Sequence, residues 1–270
     1  MPFFVNLPLS YAHHTPAYVD MFIARGVHPE LGMDTTAVQS LPEAWHREMA
    51  ERFRDAGLTS AIHLPFFDLS PGSMNNGILA ATRNTLTRAA ELASIYDPVH
   101  MVGHPHFNRG EHAPHMARWV ERSTQTWETV LDITSGCPSR PRLYLENTHE
   151  RTPHAILTLL EQLPEERAGF CLDIGHWHAF AHGFRKQDLA EWVDAVSPRL
   201  GHLHLHDNDG TDDQHLGLGA GSIPLELLFD SLRRNDVRPS ATLEPHDEGA
   251  FEMSVSYMQT RPDLQDTIRL

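Results

Sequence analysis

The sequence predicts an α/β fold closed as a (β/α)8 TIM barrel, on three observations. Short apolar or β-branched runs alternate with longer amphipathic stretches, the pattern of repeated βα units around a parallel sheet. There are eight such runs, which close a barrel more naturally than they extend an open sheet. The length of 270 residues suits a barrel, which typically takes about 250 residues and folds as one unit.

Taken in order, the strands are expected at Phe3–Pro8, Glu30–Asp34, Ser60–Phe66, Val99–His106, Arg142–Thr148, Gly169–His176, Leu200–Asp207 and Ala241–His246. Helical periodicity is clearest at Glu43–Ala56, Asn76–Ile95, His115–Ile133, Ala155–Leu163 and Pro224–Arg234. The segment Glu252–Leu270 follows the eighth strand as a helix or tail, with Pro262 interrupting its pattern. No long Pro/Gly/Ser linker or compositional break divides the chain, so residues 1–270 are expected to form one domain.

Side chains alternate faces along a strand, and this alternation sorts the polar residues. In the third strand His63 shares parity with Ala61, while Ile62 and Leu64 take the other face. In the fifth, Glu146 sides with Tyr144 and Arg142 against two leucines. Leu172 opposes Asp173 in the sixth strand, the leucines of His202–His206 oppose its three histidines in the seventh, and Leu243 opposes Glu244 in the eighth. If the apolar parity packs outward on the helices, His63, Glu146, Asp173, His204 and Glu244 point at the barrel axis. Each falls late in its strand, where barrel enzymes carry catalytic residues. Gathering carboxylates and imidazoles there is costly unless they are paired or share a metal ion.

Further polar residues lie just past the strands. His104 closes the fourth strand, His176 follows the turn at Gly175, and Asp213 and His215 sit two apart in a glycine-rich loop. His178, His182, His202 and His206 are read as partners that tune ligands or as ordinary packing, and His112, His115 and His154 as surface residues. Asn147 and Asp207 either orient substrate or hold turns, and Trp177 and Phe180 line the pocket or pack beneath it.

Composition narrows the function. A hydrophobic fraction of 40% and a charged fraction of 21% are those of a globular protein. No apolar run reaches the ~20 residues that span a bilayer, and the start lacks a basic signal-peptide region, so a cytoplasmic protein without a membrane partner is expected. Only Cys137 and Cys171 are present, outside any CxxC pattern, which argues against disulfides and thiolate zinc. A formal net charge of -15 and a single lysine, Lys186, argue against nucleic acid as a partner and make a small molecule the expected one. Arg109 and Arg151 remain as local phosphate contacts.

The segments IHLPF, VGHPH, LENT, CLDIGHWHAFAHG, HLHDNDG, DDQHLGLGAGSI and LEP together resemble the xylose-isomerase-like barrel superfamily, and within it the endonuclease IV (AP endonuclease family 2) branch. The resemblance implies a trinuclear zinc site. Glu146 would bridge two ions, with His63 and His104 completing the first and Asp173, His204 and Glu244 the second, while His176, Asp213 and His215 hold the third. Manganese also suits such ligands. The activity so implied is phosphodiester hydrolysis, with Glu146 and Glu244 positioning or deprotonating the nucleophile. Because the chain is acidic, a small phosphoester or nucleotide-like metabolite, a corrinoid-type phosphodiester among them, is favoured over abasic DNA. The alternative is a sugar isomerase or epimerase using one ion, for which Glu146, Glu244, Asp173 and His204 fill the roles equally well. A third reading is metal binding without catalysis.

Overall fold

The computed structural model describes residues 3–261, 264 and 267–269. Eight parallel strands close into a barrel in sequence order: β1 Phe4–Pro8, β2 His28–Gly32, β3 Ala61–His63, β4 His100–Gly103, β5 Arg142–Glu146, β6 Ala168–Asp173, β7 Leu200–Leu205 and β8 Ser240–Leu243, with β8 pairing back onto β1. All eight expected strands are present. Most of their C-terminal ends come earlier than the hydrophobic pattern suggested. The pattern overran because the chain stays buried after it leaves the sheet; Leu64, beyond β3, is 0% exposed. His104 and Glu244 therefore sit one residue past β4 and β8 rather than within them.

Alternation along the strands holds at the site. Ile62, Leu64, Leu143, Leu145, Leu172, Leu203, Leu205 and Leu243 pack outward in the large core shared with the surrounding helices. Val102, Tyr144 and Cys171 form a separate small cluster inside the barrel. Burying one leucine-sized side chain contributes roughly 1.5–3 kcal/mol, so the outward leucines fix register firmly: a slip by one residue would bury the histidines among the helices instead.

The helices between strands match the expected periodicity, at Glu43–Asp55, Asn76–Ser94, Met116–Thr134, His154–Leu160 and Leu225–Arg234. A last helix spans Glu248–Gln259, capped by the Asp247 carboxylate, which accepts from Ala250 N at 2.8 Å. Pro262, expected to interrupt this segment, lies outside the described residues. Among the described residues no helix is long and apolar enough to cross a membrane.

Two local expectations are corrected. His176 stands not in a loop but in the first turn of a helix, Ile174–Ala179, whose N-cap is Asp173 itself; the carboxylate accepts from His176 N at 2.6 Å. The strand thus passes straight into a helix, which fixes the two side chains relative to each other. His112, expected at the surface, is 2% exposed, because its ring packs against Phe107 and Trp119 while Nδ1 accepts from Asn108 N at 2.9 Å.

Candidate metal centre at the barrel mouth

The nine candidate residues form one connected cluster at the C-terminal ends of the strands. Glu146, at the end of β5 and 1% exposed, is its hub. His63 Nε2 and His104 Nε2 approach Glu146 Oε2 at 3.2 and 3.0 Å. His176 Nδ1 and His204 Nδ1 approach Oε1 at 3.1 and 3.3 Å. His204 Nδ1 also lies 3.8 Å from Asp173 Oδ2 and 3.4 Å from Glu244 Oε1. A flanking group is built on Asp213, whose Oδ2 is 3.3 Å from His176 Nε2 and 3.1 Å from His215 Nε2.

Several of these imidazoles are tethered from behind. With Nδ1 protonated, His63 donates to Leu64 O (3.0 Å), His104 to Thr148 Oγ1 (2.7 Å) and His215 to Glu244 O (2.7 Å). Each tether leaves Nε2 facing the carboxylates. This is how ligating histidines are usually oriented, with the outer ring nitrogen donating to a carbonyl, hydroxyl or carboxylate. His204 Nδ1 is buried with no hydrogen bond at all, although carboxylate oxygens of Glu146, Glu244 and Asp173 surround it. Two ligand atoms on one tetrahedral zinc stand roughly 3.3 Å apart, given Zn–N and Zn–O distances of about 2.0–2.1 Å. The donor set, its spacing and the orphaned nitrogen therefore fit a divalent cation.

One member of the cluster was undervalued by the sequence. His206, one residue past β7 and 1% exposed, reaches Asp173 Oδ2 at 3.2 Å and Asp213 Oδ1 at 3.6 Å, and its ring stacks on His215 at 3.9 Å. His206, Asp213 and His215 bring three ligand atoms within 4.8 Å of one another. Its parity with His204 was the signal.

Electrostatics separate the two glutamates. Burial raises the Glu146 carboxyl, but the charges of His104 and His204 and hydrogen bonds from His104 and His176 outweigh it and hold it well below the usual carboxylate range. Glu244 is pushed up, chiefly by burial, which the charges of His204 and His215 oppose only in part. His215 rises to about 9: burial lowers it, and the hydrogen bond to Asp213 with the Glu244 and Asp213 charges overcomes that. His204 and His176 are both held well above the ordinary imidazole value; burial opposes this, while the charges of Glu244, Glu146 and Glu30 act on His204, and Asp173, Asp213 and Glu146 on His176.

A cavity of about 620 Å³ lies over the cluster. His63, His104, Glu146, His176, Asp213, His215 and Glu244 line its floor, with Tyr11, Phe66, Phe67 and Phe180 on its walls. Tyr11 and Phe67 are 61% and 74% exposed, so the entrance carries an aromatic edge. Among the described residues neither a lysine nor an arginine lines it; Arg109 and Arg151 lie elsewhere. Met33, Asp34 and Thr35, which lead from β2 into a short helix, contribute to the wall.

The remaining candidates sort into supports. The Asn147 side chain donates to Asp173 O and accepts from Asp173 N, both at 3.0 Å, so it clamps the end of β6. Asp207 accepts from Asn208 N, Gly219 N and Ile223 N and holds the loop after β7. Trp177 is buried, with Nε1 donating to Asp188, and His178 bonds Asn208; neither lines the cavity. His182 is half-buried at the start of a short helix and away from the lining, while His115 and His154 are exposed as expected. Cys171 is fully buried and its thiol is pushed up by burial, which argues against thiol chemistry there.

A closed parallel barrel with its buried carboxylates and imidazoles massed at the C-terminal mouth defines the class of protein. Within that class the chain belongs to the xylose isomerase-like TIM barrel family, whose model matches residues 24–267. An uncharacterized protein of Methanocaldococcus jannaschii is 25% identical over 178 residues, 64% of this chain; the match spans 59% of that relative's length. A protein of Thermus thermophilus, solved after soaking with ZnCl2, superposes with a TM-score of 0.78 at 25% identity, covering 96% of this chain and 97% of the other. A D-tagatose 3-epimerase-like protein superposes with a TM-score of 0.76 at 20% identity, covering 98% of both chains. A D-psicose 3-epimerase solved in the presence of D-fructose gives 0.69 at 13% identity over 99% of this chain and 95% of that one.

Proposed function

We propose that the chain is a divalent-metal enzyme of the isomerase or epimerase kind, acting on a small hydroxyl-rich substrate without a phosphate group. The observation that carries the reading is the glutamate pair. Glu146 and Glu244 both reach His204 Nδ1, at 3.3 and 3.4 Å, yet their surroundings push their protonation in opposite directions. Moving a proton to and from carbon uses two groups of unequal proton affinity, and burial favours the protonated form at Glu244 while the histidine charges favour the ionised form at Glu146.

Glu146, Asp173, His204 and Glu244 would hold one ion, zinc or manganese by donor type. Bound there, the ion would polarise a substrate carbonyl and make the neighbouring C–H bond more acidic. Glu244 would take or return the proton on the cavity side, and His215, donating to the Glu244 backbone, keeps the residue in register. Phe66 and Phe180 would exclude water from the reacting carbon. The cavity has no lysine or arginine among its described lining residues, which weighs against a phosphorylated substrate. Epimerisation of free sugars is also the chemistry named for solved proteins that share this barrel.

A second reading is favoured by a specific observation. His63, His104, His176, Asp213 and His215 join the same cluster although a one-ion enzyme does not need them as ligands. On that reading the site holds three zinc ions and hydrolyses a phosphodiester.

Solvent exchange separates the two. Metal-loaded protein incubated with a panel of ketopentoses and ketohexoses in D2O is expected to incorporate deuterium beside the carbonyl, and Glu244→Gln to abolish this. Absence of exchange across the panel, with cleavage of bis(p-nitrophenyl) phosphate, would replace the first reading by the second.

A further inference from the structure

Below the metal cluster, inside the barrel, lies a second polar layer that the sequence pattern did not reveal. Glu30 of β2 is 0% exposed and surrounded by the inward faces of β4, β7 and β8. Its Oε2 accepts from Thr242 Oγ1 at 2.7 Å and faces His100 Nε2 and His202 Nε2, each at 3.2 Å. His202 is fixed in turn by Ser240 Oγ at 2.6 Å and Thr242 Oγ1 at 2.9 Å. This half of the carboxylate is fully engaged.

The other oxygen is not. Glu30 Oε1 lies 2.9 Å from His204 Nε2 as an ion-pair contact, and neither atom has a hydrogen-bond partner among the described residues. His204 is itself 0% exposed, with Nδ1 aimed up into the cluster of Glu146, Asp173 and Glu244. The two ring nitrogens thus divide the residue between layers. His63, His104 and His215 are tethered through backbone carbonyls or a hydroxyl; His204 has a carboxylate behind it.

We infer that Glu30 is a positioning residue: it holds His204 through Nε2, so that Nδ1 is presented as a ligand to a divalent cation at the barrel mouth. The inference rests on the proposed metal site and goes one layer beneath it. A carboxylate behind a ligating imidazole fixes its tautomer and ring plane and raises its basicity, and removing such a partner typically weakens metal binding by about 10–100-fold. Thr242, His100 and His202 hold the carboxylate so that it cannot rotate away.

The test uses zinc alone, titrated against a chromophoric chelator, on wild type, Glu30→Gln and Thr242→Val. Glu30→Gln keeps the shape and removes the charge, so a folded variant by circular dichroism should bind zinc about 10–100-fold more weakly. Thr242→Val leaves the carboxylate but removes its anchor, and should lie between the two. In the cobalt(II)-loaded wild type, the buried His204 Nε2–H should appear as a hyperfine-shifted proton that exchanges slowly with solvent. Glu30→Gln should shift it or make it exchange fast, which a merely structural role would not do. Wild-type zinc affinity with an unchanged shifted resonance in a folded Glu30→Gln overturns the inference, and so does failure of both variants to fold, which would make Glu30 a structural group. A wild type that binds no zinc would overturn the metal site itself, a different outcome.

Discussion

Gly175 sits at the turn from β6 into the helix that carries His176, and replacing it with alanine should damage the site by steric force alone. A Cβ there would lie 1.9 Å from His206 Cε1 and 2.5 and 2.6 Å from the two ring nitrogens. Ordinary carbon contacts are about 3.5–4.0 Å, so the ring must retreat by roughly 1.6 Å or more. It has nowhere to go: His206 is 1% exposed and stacks on His215, which stacks on His246, both at 3.9 Å. Retreat breaks the 3.2 Å contact with Asp173. Overpacking costs about 1–3 kcal/mol, and losing a hydrogen bond to a charged group about 1.5–3 kcal/mol, so the total is about 2–5 kcal/mol allowing for overlap. An unfolding entropy of about 2.1 cal/mol/K per residue, over 270 residues, converts that to a fall in Tm of about 4–9 °C. Gly136→Ala is the control, because a Cβ there meets nothing within 4 Å; it should leave Tm unchanged or slightly raised. Calorimetry on the metal-free proteins reads both values, and zinc affinity should fall only for Gly175→Ala. Unchanged Tm and zinc affinity in Gly175→Ala would refute the reasoning that His206 is locked in place.

Zinc binding near pH 7 should release about one proton if one ion binds, because His204 is held protonated by the carboxylates around it and ligation requires the neutral ring, and about three if His176 and His215 ligate further ions; titration calorimetry in buffers of different ionisation enthalpy measures this, and no buffer dependence would contradict it. The metal-free protein should be most stable between about pH 4 and 6.5. His215, raised to about 9, contributes stability that is full below about 6.5 and lost as pH rises through 9, whereas depressed Asp213 contributes stability present above about 3.9 and lost as pH falls; a Tm that rises from pH 6.5 to 9 would contradict the sign. His46 serves the fold rather than the site: its ring nitrogens meet Tyr96 Oη at 2.8 Å and Ala37 O at 3.0 Å in a fully buried position. His46→Ala should cost about 2–4 kcal/mol in urea denaturation and leave zinc affinity at the wild-type value.

Period-two alternation made the barrel legible, because each strand must turn leucines toward the helices and polar groups toward the axis. The same alternation singles out His63, Glu146, Asp173, His204 and Glu244 as inward-facing. The strand ends were less legible, since Leu64 stays buried past β3 and hydrophobicity alone does not mark where pairing stops. Glu30 obeys the same alternation, opposing Leu31, but the strand was expected to begin at that residue, where an exposed charge is ordinary. Its importance comes from partners on β7 and β8, Thr242 lying 212 residues away in sequence, which no local pattern connects. His206 shared the parity of His204, yet only the fold of the Asp212–His215 loop back over the mouth makes it a neighbour of Asp213.

We propose that the buried carboxylates and imidazoles at the mouth hold a divalent cation. Anomalous scattering from crystals of the zinc- or manganese-loaded protein tests it most directly. A peak is expected within Glu146, Asp173, His204 and Glu244, with two further peaks, by His63 and His104 and by His176, Asp213 and His215, only if the three-ion hydrolase reading is the right one. No peak at Glu146, Asp173, His204 and Glu244 would contradict it.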